Sequence, residues 1–164
     1  MDENIVIRRA VPVDLEGIAN VEGTCFPKAE AASRDSLKAR LAQFSEHFWL
    51  MTLNGEIIAY VGGCVTNQPD LSDEMYENAA LHTEDGAWQM LFSVCTLPAF
   101  QRRGYAGQLL ECAAADAKAQ GRKGVVLTCK ERLLPFYAKF GFVNEGISAS
   151  VHGNAVWYQM RLTF

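Results

Sequence analysis

The sequence predicts a mixed α/β fold, with helices packed on a central twisted sheet. Stretches with helical spacing of apolar residues alternate along the chain with short apolar runs that are typical of strands. The longest predicted helix, 102–120, joins two of these runs, and a helical crossover of this kind makes the strands that it connects parallel. No repeat or linker interrupts the 164 residues, a length that suits one domain. We therefore predict a single domain over residues 1–164.

The first part of the chain is predicted to hold two helices and three strands. A strand and a helix follow each other within residues 4–26, and Pro12 marks the boundary between them. A second helix begins after Ser33, a typical N-cap residue, and carries apolar residues on one face. Residues 47–67 contain two strands that meet at Asn54-Gly55, the dipeptide that most strongly indicates a two-residue hairpin turn.

The second part of the chain is predicted to follow the order strand, helix, strand, helix and two strands. Residues 68–86 are polar and acidic and are expected to form a surface excursion with one short helix. Residues 87–97 are apolar on both alternating faces, as in a central strand. Strict alternation places Trp88, Met90, Phe92 and Val94 on one face, and Leu91, Ser93, Cys95 and Leu97 on the other. A buried strand over 124–129, a short helix over 133–140 and strands over 142–150 and 155–164 complete the chain.

The composition limits the classes of partner. A net charge of −4 and a pI near 5.4 give no overall positive field for nucleic acid or an anionic membrane. No apolar run reaches the roughly 20 residues that span a bilayer, so we expect a cytoplasmic protein. The five cysteines are scattered and never form a CxxC pair, which favours buried free thiols over disulfides or a metal site. We expect no metal.

The segment LPAFQRRGYAGQLLE, residues 97–111, joins the central strand to the longest helix. The first amides of a helix have no partners within the helix and carry the positive end of its dipole. Gly104 and two small residues, Ala106 and Gly107, leave these amides uncovered, and Arg102 and Arg103 add positive charge. The pattern favours a site for a ligand phosphate, although the glycines can equally serve the turn alone. The GxGxxG and GxxxxGKS/T patterns of nucleotide-binding folds are absent.

The same segment resembles the GNAT superfamily of acetyltransferases. Gln101–Ala106 matches the Q/R-x-x-G-x-G/A signature of that superfamily, at its usual place between the fourth strand and the following helix. Residues 133–146 resemble its closing helix and strand. Its opening strand and helix are matched by Arg8, Ala10, Asp14 and Ile18. The resemblance implies a mixed sheet of six to seven strands, in which the fourth and fifth strands are parallel and splayed apart.

Within GNAT, the chain most resembles the arylalkylamine, or serotonin-type, N-acetyltransferases, and residues 127–142 carry this likeness best. The resemblance implies that acetyl-CoA is the cosubstrate and lies between the splayed strands. It implies that the pantetheine bonds to the backbone of Val94, Cys95 and Thr96. It also implies that the pyrophosphate binds the amides of Arg102, Arg103, Gly104, Tyr105, Ala106 and Gly107.

Tyr137 is the residue that the resemblance identifies as the proton donor to the coenzyme A sulfur. Its spacing alone also suits a tyrosine packed on an amphipathic helix. The animal arylalkylamine enzymes have two histidines on the strand before the turn, where this sequence has Met90 and Phe92. The histidine relay is therefore absent, and these two residues belong either to the core or to the substrate wall.

The proton acceptor for the amine is not identified by the sequence. His47, His82 and His152 are expected to be solvated or hydrogen-bonded surface histidines. Glu22 either faces the substrate channel or is a solvated helix carboxylate. Bulk water is the remaining candidate.

The resemblance places the acceptor beside the loop 25–33 and the excursion 68–86. Phe26, Pro27, Trp88 and Phe92 are candidates for an apolar wall against an aromatic amine. Asp73, Glu74 and Glu77 are candidates for attracting its charge. The alternative is that the apolar residues belong to the core and the acids to a solvated loop.

We therefore expect an N-acetyltransferase that transfers acetyl from acetyl-CoA to a primary amine of a small molecule, such as an arylalkylamine, in a ternary complex. Two alternatives stay open: a non-catalytic acetyl-CoA-binding sensor, and an acetyltransferase of protein lysines or N-termini. Many members of the superfamily form dimers, so a homodimer is one expected assembly.

Overall fold

A computed structural model describes residues 4–164. In this part of the chain the strands are β1 (Ile5–Arg9), β2 (Phe48–Leu53), β3 (Glu56–Gly62), β4 (Val65–Thr66), β5 (Trp88–Leu91), β6 (Ser93–Thr96), β7 (Gly124–Cys129), β8 (Val143–Ile147) and β9 (Tyr158–Thr163). The helices are α1 (Leu15–Cys25), α2 (Arg34–Phe44), α3 (Asp73–Glu77), α4 (Tyr105–Ala119) and α5 (Leu134–Ala138). The predicted mixed α/β fold and its order of elements are confirmed. The described residues form nine strands and not six to seven, because the short β4 is added and the predicted strand 87–97 is divided in two.

The strands form two half-sheets that share one bent region. One half has the order β1-β2-β3-β6 and is antiparallel throughout, and the other has the order β4-β5-β7-β9-β8. The predicted strand 87–97 is divided into β5 and β6, so its first part pairs in one half-sheet and its second part in the other. Between β5 and β7 the pairing is parallel, as the helical crossover predicts.

A β-bulge at Phe92 causes this division. Ser93 lies opposite Gly62 in the ladder, while the amide of Phe92 also donates to the Gly62 oxygen at 2.7 Å. Phe92 and Ser93 thus lie opposite the single residue Gly62. The extra residue bends the strand and shifts the alternation of its side chains between the two faces of the sheet. As a result Val94 packs on the opposite side of the sheet from Met90. The predicted assignment of faces is therefore wrong beyond Phe92, because one extra residue reverses it.

The bulge also separates the two parallel strands. The β5–β7 ladder runs from Trp88 opposite Gly124 to Leu91 opposite Leu127. Beyond these pairs β6 bonds to β3 and β7 bonds to β9. A gap therefore opens between the ends of β6 and β7, and the predicted splay of the parallel strands is confirmed.

Helices cover both faces of the sheet. The apolar stripe of α1 and α2 packs with Phe48, Leu50 and Tyr60 in one core cluster, whose helical members are Leu15, Ile18, Val21, Leu37, Leu41 and Phe44. The stripe of α4 packs in a second cluster on the other face and contributes Leu109, Leu110, Ala113 and Ala117. Burial of these stripes is the main source of stability, since each large apolar side chain contributes about 2 kcal/mol.

Local signals in the sequence define several boundaries. The Ser33 hydroxyl accepts a hydrogen bond from the Ser36 amide at 3.1 Å and caps α2 as predicted. Asn54 and Gly55 both have positive φ, at 50° and 89°, which is the geometry of the predicted hairpin turn.

The segment 68–86 differs from the predicted surface excursion, because Leu71 and Met75 are buried in the first core cluster. Over residues 4–164 no helix combines the length and the apolarity that crossing a bilayer requires.

Candidate active site

A cavity of about 970 Å³ occupies the gap between the splayed strands. One wall is the strand segment 91–96, and the other is the segment 127–130 of β7 and the residue that follows it. The end of α1, the start of α4 and helix α5 also contribute lining residues. The cavity is as large as the sites that hold sizeable small molecules.

The main chain of β6 offers hydrogen-bonding groups to this cavity at alternate residues. The amide of Leu97 donates to Ile58 of β3 at 2.8 Å, so Leu97 and Cys95 direct their main-chain groups toward β3. Val94 and Thr96 direct theirs toward the gap. The Thr96 oxygen accepts a bond there from the Gln101 side chain at 3.1 Å. Among the three strand residues predicted to bind pantetheine, Cys95 is therefore turned away.

The start of α4 leaves a group of amides uncovered. Arg102 and Gly104 have φ values of 65° and 80°, and the first helical hydrogen bond runs from the Gln108 amide to the Gly104 oxygen. In the described part of the chain the amides of residues 102–107 have no hydrogen-bond acceptor. Donors of this kind at a helix start bind anions. Arg102 and Ala106 bring this helix start to the wall of the cavity.

The other residues of the predicted phosphate turn do not line the cavity in the structure. Arg103 lies over the ring of Phe100, at 5.5 Å. Tyr105 packs against the second core cluster. A Cβ on Gly107 would approach the ring of Phe140 to 2.6 Å, so the absence of a side chain there allows α4 to pack on Phe140. Open space surrounds the Cβ position of Gly104.

Tyr137 lies on α5 and lines the cavity, with only 5% of its surface exposed. In the described structure its hydroxyl has no hydrogen-bond partner. Burial, assisted by the nearby thiols of Cys129 and Cys95, raises the pKa of Tyr137 well above its usual range. The phenol therefore keeps its proton across the neutral range.

Glu22 is a buried carboxylate in the cavity wall, 3% exposed. Its oxygens accept hydrogen bonds from the hydroxyls of Tyr60 and Ser93 and from the Ala32 amide. Glu22 occupies a position in the apolar stripe of α1, one turn after Ile18. The expectation that it is a solvated carboxylate is wrong, and its alternative, a place facing the channel, fits the structure.

Arg40 is a buried cation of the same cavity, on the inner face of α2 and 5% exposed. Its Nη2 donates to the main-chain oxygen of Tyr76 at 2.9 Å. The guanidinium lies 4.9 Å from the centre of the Phe92 ring and 6.0 Å from that of Tyr76. Such contacts stabilise a cation by about 1–2 kcal/mol when it is desolvated.

Tyr76, Thr128 and His152 form a further part of the cavity wall. The hydroxyls of Tyr76 and Thr128 are 3.1 Å apart, and burial raises the pKa of Tyr76 to about 12. The His152 ring stacks on the Tyr76 ring at 5.3 Å and its Nε2 donates to the Glu30 oxygen at 2.7 Å. His152 is thus a partly buried, hydrogen-bonded residue of the cavity wall. The expected hydrogen bonding fits the structure, whereas the expected surface position does not.

The predicted acceptor-binding residues divide into two groups. Phe26, Pro27 and Phe92 line the cavity. Met90 is fully buried in the first core cluster and does not reach the cavity, so its core alternative fits the structure. Trp88 also lies outside the cavity, under the guanidinium of Arg161.

The predicted acids of segment 68–86 do not line the cavity either. Asp73 accepts hydrogen bonds from the Ser150 hydroxyl and the Val151 amide, and so it fixes the segment before β9. Glu74 and Glu77 lie on the same short helix, α3. None of the three therefore contributes its carboxylate to the wall of this cavity.

His47, His82 and Glu84 form a cluster outside this cavity. The two rings are nearly buried, which contradicts the expectation of surface histidines, and burial lowers the pKa of His47. Ligand atoms of the three residues lie within 4.8 Å of one another, the donor set of a zinc site. However, His82 Nδ1 accepts a hydrogen bond from the Val65 amide, so the Nε2 of the same ring carries the proton and donates it in a hydrogen bond to Glu84. In this arrangement both ring nitrogens of His82 are engaged with protein groups. Arg122 also pairs with Glu84, at 3.4 Å.

Sequence reasoning did not assign roles to several cavity residues. Arg40 had a usable signal, because a charged residue within the Leu37, Leu41 and Phe44 stripe is unusual. Tyr76, Thr128 and His152 had none, since only the folded chain brings them together.

Comparisons with known proteins identify the family. Residues 15–142 match the family described as acetyltransferase (GNAT). The structure resembles the loading GNATL domain of CurA from Lyngbya majuscula, with 16% identity, 98% of each chain covered and a TM-score of 0.84. It resembles equally the GphF GNAT-like decarboxylase in complex with isobutyryl-CoA, with 22% identity, 96% and 98% coverage and a TM-score of 0.84.

A third similar structure is the ribosomal-protein-S18-alanine N-acetyltransferase from Escherichia coli, with 18% identity, 98% and 94% coverage and a TM-score of 0.72. The expected closeness to the arylalkylamine group is not supported by these comparisons. The family match covers more than three quarters of the sequence, as residues 15–142 of 164. The chain therefore belongs to the acetyltransferase (GNAT) family of enzymes.

Proposed function

We propose that the protein is an acetyl-CoA-dependent N-acetyltransferase that acts on a primary amine of a small molecule, with both substrates bound together. One observation carries the proposal: a single cavity between the splayed strands contains Tyr137, Glu22 and the start of α4. A proton donor, a proton acceptor and an anion-binding helix start therefore face one space. Holding reactants in such a space supplies a large part of the rate enhancement of transfer reactions.

The residues of the cavity fit the coenzyme. Uncovered amides at 102–107 and the Arg102 side chain suit a pyrophosphate. The main chain of Val94 and the amide of Thr96 suit the amide groups of pantetheine, because both residues direct their main chain into the gap. The Thr96 oxygen already accepts hydrogen bonds from Gln101 and Cys25. When bound, acetyl-CoA supplies the activated acetyl group as a thioester. The CoA ester in the similar GphF structure supports this assignment.

Tyr137 acts on the departing sulfur in this proposal. Its phenol is protonated at neutral pH and has no competing partner in the described structure, so it is free to donate. As negative charge develops on the sulfur, Tyr137 donates first a hydrogen bond and then its proton, so that coenzyme A leaves as the thiol. The phenolate then regains a proton from solvent, because burial raises the pKa of Tyr137 and favours the neutral phenol. Such donors in dry surroundings stabilise a developing anion strongly.

Glu22 takes the proton of the attacking amine, directly or through one water. It is a carboxylate in the cavity wall without an ion pair among the described residues, and Tyr60 and Ser93 fix its orientation. An amine must lose its proton to attack, and a positioned base contributes about 10²-fold or more to such a step. The proton then passes to solvent at the mouth of the cavity.

The acceptor lies against Phe26, Pro27 and Phe92. These side chains form an apolar wall beside Glu22, which suits an amine with an aromatic or aliphatic body, arylalkylamines included. The enzyme works in the cytoplasm in this proposal, where its five cysteines stay free thiols, as in the structure. A homodimer and the single-domain organisation over residues 1–164 remain part of the proposal.

A second candidate is decarboxylation of an acyl-CoA. The similar GphF structure is described as a GNAT-like decarboxylase, and its TM-score of 0.84 exceeds the 0.72 of the Escherichia coli N-acetyltransferase. At 22% identity this likeness shows only that the two proteins share a fold, so amine transfer is the main proposal. The decisive difference is the product, because decarboxylation releases carbon dioxide and leaves the thioester intact.

The test is a panel of small amines, lysine peptides and N-terminal peptides with acetyl-CoA, followed by detection of free thiol. Amine-dependent thiol release with a small amine supports the proposal. Release with peptides alone would assign the enzyme to protein acetylation instead. Calorimetric binding of acetyl-CoA without release in any arm would leave the alternative of a sensor module, and loss of carbon dioxide from malonyl-CoA would favour the second candidate.

A further inference from the structure

Arg40 has no acidic partner among residues 4–164, although it is 95% buried. None of the ion pairs of residues 4–164 includes it. Its Nε is buried and has no hydrogen-bond partner in the described structure. Burying an unpaired charge is costly, and proteins normally pair such charges.

The other arginines with little exposure show the contrast. Arg122 and Arg161 also have one buried nitrogen each without a hydrogen-bond partner in the described structure, so the contrast lies in their acidic partners. Arg122 pairs with Glu84 at 3.4 Å. Arg161 pairs with both Asp70 and Glu145, at 3.0 and 2.9 Å. Among the described residues, the guanidinium of Arg40 contacts one carbonyl oxygen and two aromatic rings. The protein therefore compensates its positive charge only in part.

A buried anion lines the same cavity but does not pair with Arg40. Glu22 is 3% exposed, yet its oxygens bond to Tyr60, Ser93 and Ala32. Both groups line the same cavity, where the guanidinium of Arg40 lies over the rings of Phe92 and Tyr76. The part of the cavity proposed to hold the amine acceptor therefore contains a cation, Arg40, and an anion, Glu22, that do not form an ion pair with each other.

We propose that Arg40 binds a carboxylate of the substrate, so that the acceptor is an amine that also carries a carboxylate, such as an amino acid. This inference rests on the proposed function and adds the class of acceptor to it. A guanidinium binds a carboxylate through two parallel hydrogen bonds. The ammonium of an amino acid then lies toward Glu22 and its carboxylate toward Arg40, which compensates both buried charges.

The same carboxylate chemistry has a second source, an acyl group that ends in a carboxylate. Coenzyme phosphates are not a source, because the proposed site for them is the start of α4, where Arg102 lies. Amino acids and carboxyacyl thioesters can be separated by binding experiments. These need no turnover, so they are independent of the proposed catalysis.

The experiment compares matched ligands that differ only in the carboxylate. Tryptophan is compared with tryptamine, and phenylalanine with phenethylamine, by calorimetry on the full chain saturated with coenzyme A. In a separate arm malonyl-CoA is compared with acetyl-CoA. We expect each amino acid to bind at least about tenfold more tightly than its matched amine, as two charge-assisted hydrogen bonds imply. A preference for malonyl-CoA alone would overturn the assignment to the acceptor and place the carboxylate on the acyl group.

The variant Arg40→Gln should abolish the preference for the amino acids without changing the affinity for coenzyme A, which also reports that the variant is folded. Arg34→Gln is the matched control, since Arg34 lies on the same helix, is exposed and does not line the cavity. It should keep the preference. If Arg40→Gln does not fold, Arg40→Lys serves, and it should reduce the preference because lysine lacks the planar fork.

Equal binding of the members of each pair by the parent protein, in both arms, overturns the inference without any variant. A preference that survives in Arg40→Gln overturns it as well. Failure of the proposed function looks different: acetyl-CoA then binds, but no amine of any class releases thiol.

Discussion

The hydroxyl of Ser93 donates a hydrogen bond of 2.8 Å to the carboxylate of Glu22. Ser93 is the second residue of the β-bulge, and Glu22 belongs to α1, so the bond fixes the helix to the place where the strand bends. The bulge turns Ser93 toward α1, which an uninterrupted strand would not do. The feature that opens the cavity thus also orients the carboxylate inside it.

Changing Glu22 to Gln should slow transfer at least about tenfold at neutral pH, because it removes the base and preserves the shape. Without a base, the rate should follow the fraction of neutral amine and rise steadily with pH. The measurement is a pH profile of kcat/KM. Glu16→Gln, an exposed change on the same helix, is the control. A wild-type profile in Glu22→Gln would assign proton removal to another group.

Changing Tyr137 to Phe should lower kcat at least about tenfold while the affinity for coenzyme A stays within about threefold, since only the hydroxyl is lost. Thiol release and calorimetry give the two quantities. Tyr158→Phe removes a hydroxyl outside the cavity and should change neither. If Tyr137→Phe keeps full turnover, the sulfur receives its proton elsewhere.

Changing Gly104 to Val should weaken coenzyme A binding more than about tenfold, because a branched side chain then covers the helix-start amides. The φ of 80° also makes valine strained there, by about 1–2 kcal/mol. Gly121→Val is matched for strain, with a φ of 83° and open space at the other end of the same helix. It should destabilise the protein equally and leave binding unchanged. Equal losses of affinity in both variants would attribute the effect to stability.

Alkaline titration should show that Tyr137 does not ionise in the folded protein. Burial raises the pKa of Tyr137 above its ordinary value of 10.0, so the native state retains a proton that the unfolded chain releases near pH 10. The stability contributed by this group is therefore present below about pH 10 and is lost as the pH rises further. Phenolate absorbance of the wild type and of Tyr137→Phe should coincide until unfolding begins. A deficit of one tyrosine near pH 10 in the variant would contradict the shift.

The features that the sequence predicts well depend on residues close together in the chain. The Ser33 cap, the Asn54-Gly55 turn and the start of α4 near Gly104 each follow from backbone preferences of one or two residues. The parallel pair follows from the length of the crossover. The resemblance in residues 101–106 and 133–146 supplied the family and the place of Tyr137.

The candidate site is less predictable because it depends on distant contacts. Tyr76 and Thr128 are 52 residues apart and meet through their hydroxyls. The bulge at Phe92 reverses the faces of the following residues, and no period-two pattern reveals it. In the sequence, Glu22 and Arg40 cannot be distinguished from exposed helix residues. Only the folded structure shows that the inner faces of α1 and α2 bring both side chains to one cavity.

The bulge at Phe92 means that the cleft depends on chain length as well as on chemistry. Deleting one residue there would let the hydrogen-bond ladder of β5 and β7 continue and close the space between them. All the reactive side chains would remain, but they would have nowhere to hold a ligand. The inserted residue thus provides the space for a coenzyme, whereas the residues at the start of α4 determine how tightly it binds.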